Sequence, residues 1–139
     1  MEELFVYSLL CVIGYEKYDE YKKSLDCLFL SDISNEELLD LEGRAYKDAI
    51  LHTLNLFNVN EKNIDDFGKQ LMRALKPIYY ESDIVEFGNR MYELWNRLPN
   101  NISKVEPFDK FSYADDCLSY GDEKQCRELY EEAFNYYEY

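Results

Sequence analysis

The chain carries one histidine, His52, and four cysteines, Cys11, Cys27, Cys117 and Cys126. A single imidazole cannot build the two-histidine zinc motifs or the usual multi-histidine metal sites. No two cysteines stand in C-x-x-C spacing, so neither a zinc ribbon nor a redox dithiol finds support. Each cysteine lies within or beside an apolar pattern, and all four read as small buried hydrophobes in a reducing compartment. His52 stands between Leu51 and Thr53, four residues after Asp48, and reads as a helix-surface or core-edge residue. A Cys–His nucleophile pair would have to assemble in three dimensions, and no local signature marks one.

Carboxylates are abundant, so paired-acid chemistry has to be judged by position. A glycosidase needs two acids across a cleft with their pKa values pushed apart. The adjacent pairs Asp65–Asp66 and Asp115–Asp116 read instead as solvated helix ends or caps. Glycines at 14, 43, 68, 88 and 121 are scattered and make no phosphate cradle. The sequence thus assigns no catalytic residue, no cofactor-binding residue and no metal ligand; whether a carboxylate cluster takes a divalent ion stays open.

The elements carrying these residues are helical. Five glycines and three prolines among 139 residues leave few sharp breaks. Leu4–Ile13 is apolar almost all round, and Gly14 is a stop. Tyr18, Tyr21, Leu25 and Leu28 mark a second helix within 15–30, the segment whose alternation is most open to a strand reading. Ser34-Asn35-Glu36-Glu37 reads as a capping box, followed by one long helix along Leu38, Leu41, Ala45, Ala49 and Leu54. Asn60 caps the next, with Ile64, Phe67, Leu71 and Leu75 inward and Pro77 as its end. Another begins near Ser82, with Ile84, Phe87, Met91, Trp95 and Leu98 on one side. Residues 100–106 read as a loop. Pro107 suits the first turn of a short helix that ends at Gly121 and holds Asp115 at the core boundary. Asp122-Glu123-Lys124-Gln125 is a second capping box, opening a last helix with Cys126, Leu129, Tyr130, Ala133, Phe134 and Tyr137 inward. Gly68 and Gly88 fall inside helices, where each permits close packing. The expectation is an all-α protein, one domain over residues 1–139, of about six or seven helices in mostly antiparallel packing.

The formal charge is −14, from 29 acids and 15 bases. That balance disfavours direct nucleic-acid binding and anionic membrane surfaces, and favours a basic protein partner. The N-terminus opens with Glu2 and Glu3 rather than a basic region, and its apolar stretch is short of the about 20 residues that span a bilayer; a cytoplasmic location is expected. The charge is uneven: ten acids and three bases from Glu106 onward give −7. The same stretch holds Tyr113, Tyr120, Tyr130, Tyr136, Tyr137 and Tyr139. Tyrosine offers large contact area with few rotors, so acids interleaved with tyrosine suit a cationic partner surface. Tyr130 and Tyr137 fit the inward stripe, whereas Tyr120, Tyr136 and Tyr139 are interface candidates. The expected partner-binding residues are Asp116, Tyr120, Asp122, Glu123, Glu128, Glu131, Glu132 and Tyr136.

In size, acidity and helical character, and in its end SYADDCLSYGDEKQCRELYEEAFNYYEY, the chain resembles the immunity proteins that neutralise bacterial toxins, including those of contact-dependent growth inhibition. The resemblance covers no defined motif and carries over no residue. It implies a non-enzymatic inhibitor that covers the active face of a cognate toxin domain, such as a nuclease with its cationic surface. Three other readings stay open: a nucleic-acid-mimicking inhibitor from a phage or mobile element, a regulatory helical module, and a small carboxylate- or Cys–His-dependent enzyme.

Overall fold

The near-continuous apolar stretch at the N-terminus requires a helix buried on most sides, and α1 (Glu2–Val12) buries Leu4, Phe5, Val6, Ser8, Leu9, Leu10 and Cys11. Ser8 is tolerated there because its hydroxyl donates to the Leu4 carbonyl at 2.9 Å, as buried polar groups must. Gly14 follows with φ 106°, a conformation glycine adopts without steric cost. The computed structural model describes residues 1–138, and every regular element among them is helical, with no strand. Tyr139, one of the expected interface tyrosines, lies outside the described residues.

The segment most open to a strand reading is the helix α2 (Tyr18–Ser31), with Tyr21, Ser24 and Leu25 buried. Cys27 faces the other way and is exposed, contrary to its reading as a buried hydrophobe. The single long helix expected over residues 38–57 is instead two, α3 (Glu36–Glu42) and α4 (Tyr46–Leu56). Asn35 rather than Ser34 caps α3, its side-chain oxygen accepting the Glu37 and Leu38 N–H groups at 3.0 and 3.2 Å. The break falls after Gly43, where Ala45 is extended. Arg44 spans it, reaching Asp40 at 2.8 Å and Asp48 at 2.9 Å. His52 lies 3.7 Å from Asp40, part of this surface cluster. In this part of the chain Leu4, Cys11, Tyr21, Leu25, Leu38, Leu41, Ala49 and Ile50 form one core. Thr53 spends its proton on the Ala49 carbonyl at 2.8 Å, so the Tyr21 hydroxyl donates to the Thr53 oxygen, 2.9 Å away.

After a turn closed by the Asn60 side chain on the Lys62 and Asn63 N–H groups, α5 (Ile64–Glu81) begins later than an Asn60 cap would place it. It also runs four residues past Pro77. Tyr79 explains the continuation: it is buried and packs edge-on against Phe87 and Phe134, a gain that offsets proline's cost of about 3 kcal/mol in a helix interior. Asp83, next to Ser82, caps α6 (Ile84–Arg97) by accepting the Glu86 N–H at 3.3 Å. The expected loop contains one helical turn, α7 (Asn100–Ser103), held by the Trp95 indole N–H donating to the Ser103 carbonyl at 2.8 Å. Then come α8 (Asp109–Ser119) and α9 (Glu123–Asn135). The described residues therefore hold nine helices, two more than the upper expectation. They gather into two compact units, Met1–Asn58 and Val59–Tyr139. In the first, α1 packs on α2 and α4; in the second, α9 packs on α8 and α5, and α6 on α8.

Gly68 on α5 is held to its small size by Tyr137: a Cβ there would lie 2.2 Å from the tyrosine oxygen. Alanine would gain about 1 kcal/mol of helix propensity but push the ring out, losing about 1.5–3 kcal/mol of burial. G68A is expected to destabilise by about 1 kcal/mol in urea unfolding. In a Y137A background the same change is expected to become stabilising by about 1 kcal/mol; unchanged sign would refute the contact.

Candidate functional site

The α8–α9 hairpin positions the acidic residues. At its turn the Gly121 N–H donates to the Leu118 carbonyl at 3.0 Å and the Asp122 N–H to the Cys117 carbonyl at 2.9 Å, the two bonds of a Schellman closure. Gly121 takes φ 80°, the left-handed conformation this closure needs. Asp122 then opens α9, its carboxylate accepting the Gln125 N–H at 3.1 Å. The apolar spacing of α9 puts Cys126, Tyr130, Ala133 and Phe134 inward. Glu128, Glu131, Glu132 and Asn135, three and four residues apart, fall on the face that remains.

That face forms one wall of an open groove of about 730 Å³, lined by Glu106, Lys110, Glu128, Glu131, Glu132, Asn135 and Tyr136. Four carboxylates and one ammonium give it a charge of −3. Lys110 pairs with Glu132 at 3.2 Å. The Tyr79 hydroxyl donates to Glu131 at 3.4 Å. Glu106 and Glu128 have no ion-pair partner among the described residues. Arg127, beside the groove, pairs with Glu123 at 2.9 Å and donates to the Tyr79 hydroxyl at 3.5 Å, 5.8 Å from the centre of that ring.

Of the eight expected residues, the structure brings Glu128, Glu131, Glu132 and Tyr136 together in this groove. Asp116 and Tyr120 stand at the far end of α8, exposed; Tyr120 is 89 % accessible. Asp122 serves as the α9 cap and Glu123 as the Arg127 partner. Glu106, Lys110 and Tyr79 join the site without a signal in their spacing, since the first two reach it from the segment before α9 and Tyr79 from α5.

The chemistry available here is that of an anionic contact surface. Among the described residues Ser8, Ser24, Thr53 and Ser103 are buried polar residues. One carboxylate oxygen, Asp109 Oδ1, is also buried without a hydrogen-bond partner, and burial foremost raises the pKa of that carboxyl. No group of three or more His, Cys, Asp or Glu residues among the described residues is placed to hold a metal ion. Asp65 and Asp66 sit in the first turn of α5. Asp115 is half-buried, and burial followed by the charge of Asp116 raises its pKa. No helix among the described residues is long and apolar enough to cross a membrane. Comparison with protein-family models, curated proteins and solved structures gives no match.

Burial, foremost, raises the pKa of the Tyr7, Tyr21, Tyr79 and Tyr137 hydroxyls, and pushes the Cys126 thiol up to about 11. These groups ionise earlier in the unfolded chain, so the unfolded state holds fewer protons above its own pKa values. Their contribution is full below about pH 9–10, the unfolded thiol and phenol range, and is lost as pH rises toward the folded values. The urea midpoint is expected to hold steady to about pH 9 and fall steeply by about pH 11, with tyrosinate absorbance rising in step. A midpoint unchanged across that range would contradict the burial of these hydroxyls.

Proposed function

We propose that this protein is a non-catalytic inhibitor that binds a basic protein partner through the acidic groove of α9, the partner being a bacterial toxin domain whose own substrate demands a cationic surface. The observation that carries this reading is the groove itself: four carboxylates converge with Tyr136, and Glu106 and Glu128 are left without counter-charges. Gathering like charge this way costs stability through self-repulsion, and a cationic partner relieves it. The mechanism is occlusion: acids meet the Arg or Lys residues that would hold nucleic acid, while the hairpin blocks access. A tight complex of this kind buries about 1,200–2,000 Å².

The test is a pull-down from lysate of the source organism, eluted along a salt gradient and followed by an activity assay on the captured protein. The expected result is one stoichiometric partner of net positive charge, released as salt rises, whose activity on nucleic acid is lost when this protein is added back. No stoichiometric partner at low salt, or a captured protein whose activity is untouched, would count against the proposal.

A regulatory helical module is the second reading, favoured by apolar side chains that the first unit leaves in solvent: Leu30, Ile33, Leu39 and Leu51 are all more than half accessible. It predicts a partner whose capture is insensitive to salt.

A further inference from the structure

Cys117 and Cys126 stand nine positions apart in sequence, a spacing with no redox signature of its own. The hairpin gives them one. Lys110 on α8 meets Glu132 on α9 at 3.2 Å, and the Phe111 and Tyr130 rings lie 6.1 Å apart. These pairs set an antiparallel register, and following it toward Gly121 puts Cys117 and Cys126 at the same level of the hairpin, near enough for Cys117 to act on the Cys126 thiol. The turn ties the same two residues to one point: the Cys117 carbonyl accepts the Asp122 N–H at 2.9 Å, and the Asp122 carbonyl accepts the Cys126 N–H at 3.1 Å. Both thiols are free. Cys126 is fully buried, whereas Cys117 is half-buried and reachable from solvent. Burial first, and then the field of Cys117, holds the Cys126 thiol protonated to about 11.

We propose that Cys117 and Cys126 are a dithiol pair that peroxide converts to an intramolecular disulfide, stapling α8 to α9. The reachable thiol reacts first. The Cys117 sulfur attacks one peroxide oxygen; an S–O bond forms, the O–O bond breaks, the thiol proton leaves with the other oxygen as water, and Cys117 becomes a sulfenic acid. The Cys126 sulfur then attacks the Cys117 sulfur; the S–S bond forms, the S–O bond breaks, and the departing hydroxide takes the Cys126 proton as a second water. Two thiols and one peroxide thus give one disulfide and two waters. The bond closes a short loop and so restricts the unfolded chain. It changes no charge on the Glu128–Glu131–Glu132 face, so oxidation stiffens the element that presents the acids without altering their field.

The experiment uses the full chain carrying C27S, which removes the exposed thiol of α2. The protein is treated with hydrogen peroxide, alkylated in denaturant and digested with trypsin, whose cut after Lys124 separates the two cysteines. The expected result is a linked peptide pair two hydrogens lighter than its parts, and a melting temperature raised by about 5–10 °C. Dithiothreitol should reverse both, and further changing Cys117 to serine, or Cys126 to alanine, should abolish both. Recovery of Cys126 as the alkylated thiol while Cys117 is overoxidised would overturn the proposal. So would the same melting shift in protein lacking Cys117.

Discussion

Replacing Phe87 with alanine is expected to remove about 3–5 kcal/mol of stability. Phe87 is fully buried on α6, with Tyr79, Tyr130 and Phe134 around it at ring separations of 5.3, 5.0 and 6.0 Å, all edge-on. Truncation forfeits the ring's burial and leaves a cavity that α5, α6 and α9 cannot collapse without moving. It also removes edge-to-face pairs worth about 0.5–1.5 kcal/mol each beyond area. Against a total of about 5–15 kcal/mol, such a loss should lower the melting temperature by about 10–20 °C. V85A, two positions away on the exposed face of the same helix, should change stability by less than about 0.5 kcal/mol. Equal effects of the two substitutions, read by urea unfolding, would mean that the aromatic cluster is not the centre of this core.

Reversing Glu128, Glu131 and Glu132 to lysine together is expected to slow association with the cationic partner by about 10- to 1,000-fold at low salt. The six-unit change replaces an attracting groove by a repelling one, and the difference should shrink as ionic strength rises and screens it. The comparison is a variant with the same charge change elsewhere: Glu3, Glu16 and Glu61, all exposed, converted to lysine. If net charge alone steered binding, the two triple variants would slow equally. If the groove does, the first is slower by an order of magnitude or more. D116K, on the same hairpin but outside the groove, should resemble the control. Circular dichroism on each variant separates lost binding from lost fold, since Glu131 also accepts from Tyr79.

How far these features could be read in the sequence depended on how local their causes are. The α9 cap was legible because Asp122 and Gln125 meet within one turn, and the inward stripe of α9 because its period survives packing. The split between α3 and α4 was hidden: both halves keep the apolar spacing of one helix, and the Arg44 bridge to Asp40 and Asp48 is invisible in a pattern of hydrophobicity. Pro77 misled for the opposite reason, since its local preference was outweighed by rings on α6 and α9. The acidic face was legible as a concentration of charge, but its sorting was not. Nothing in composition separates Glu128, which stays without a partner, from Glu123, which is paired, or Asp122, which is a cap.

The Schellman turn between α8 and α9 bears on the order of events as the chain folds. Contacts across it join residues close in sequence, so the hairpin needs little loop closure and can form on the microsecond scale of local structure. The pairing of α5 with α9 joins residues some sixty positions apart, as Lys76 and Asn135 do, and must follow. On a ribosome adding about 5–20 residues per second, the wait from α6 to the end of α9 is on the order of a few seconds. Through that interval Met72, Tyr79 and Phe87 have no α9 to cover them. Nascent chains arrested between Arg97 and Asp122 should therefore be the ones that chaperones hold and proteases cut.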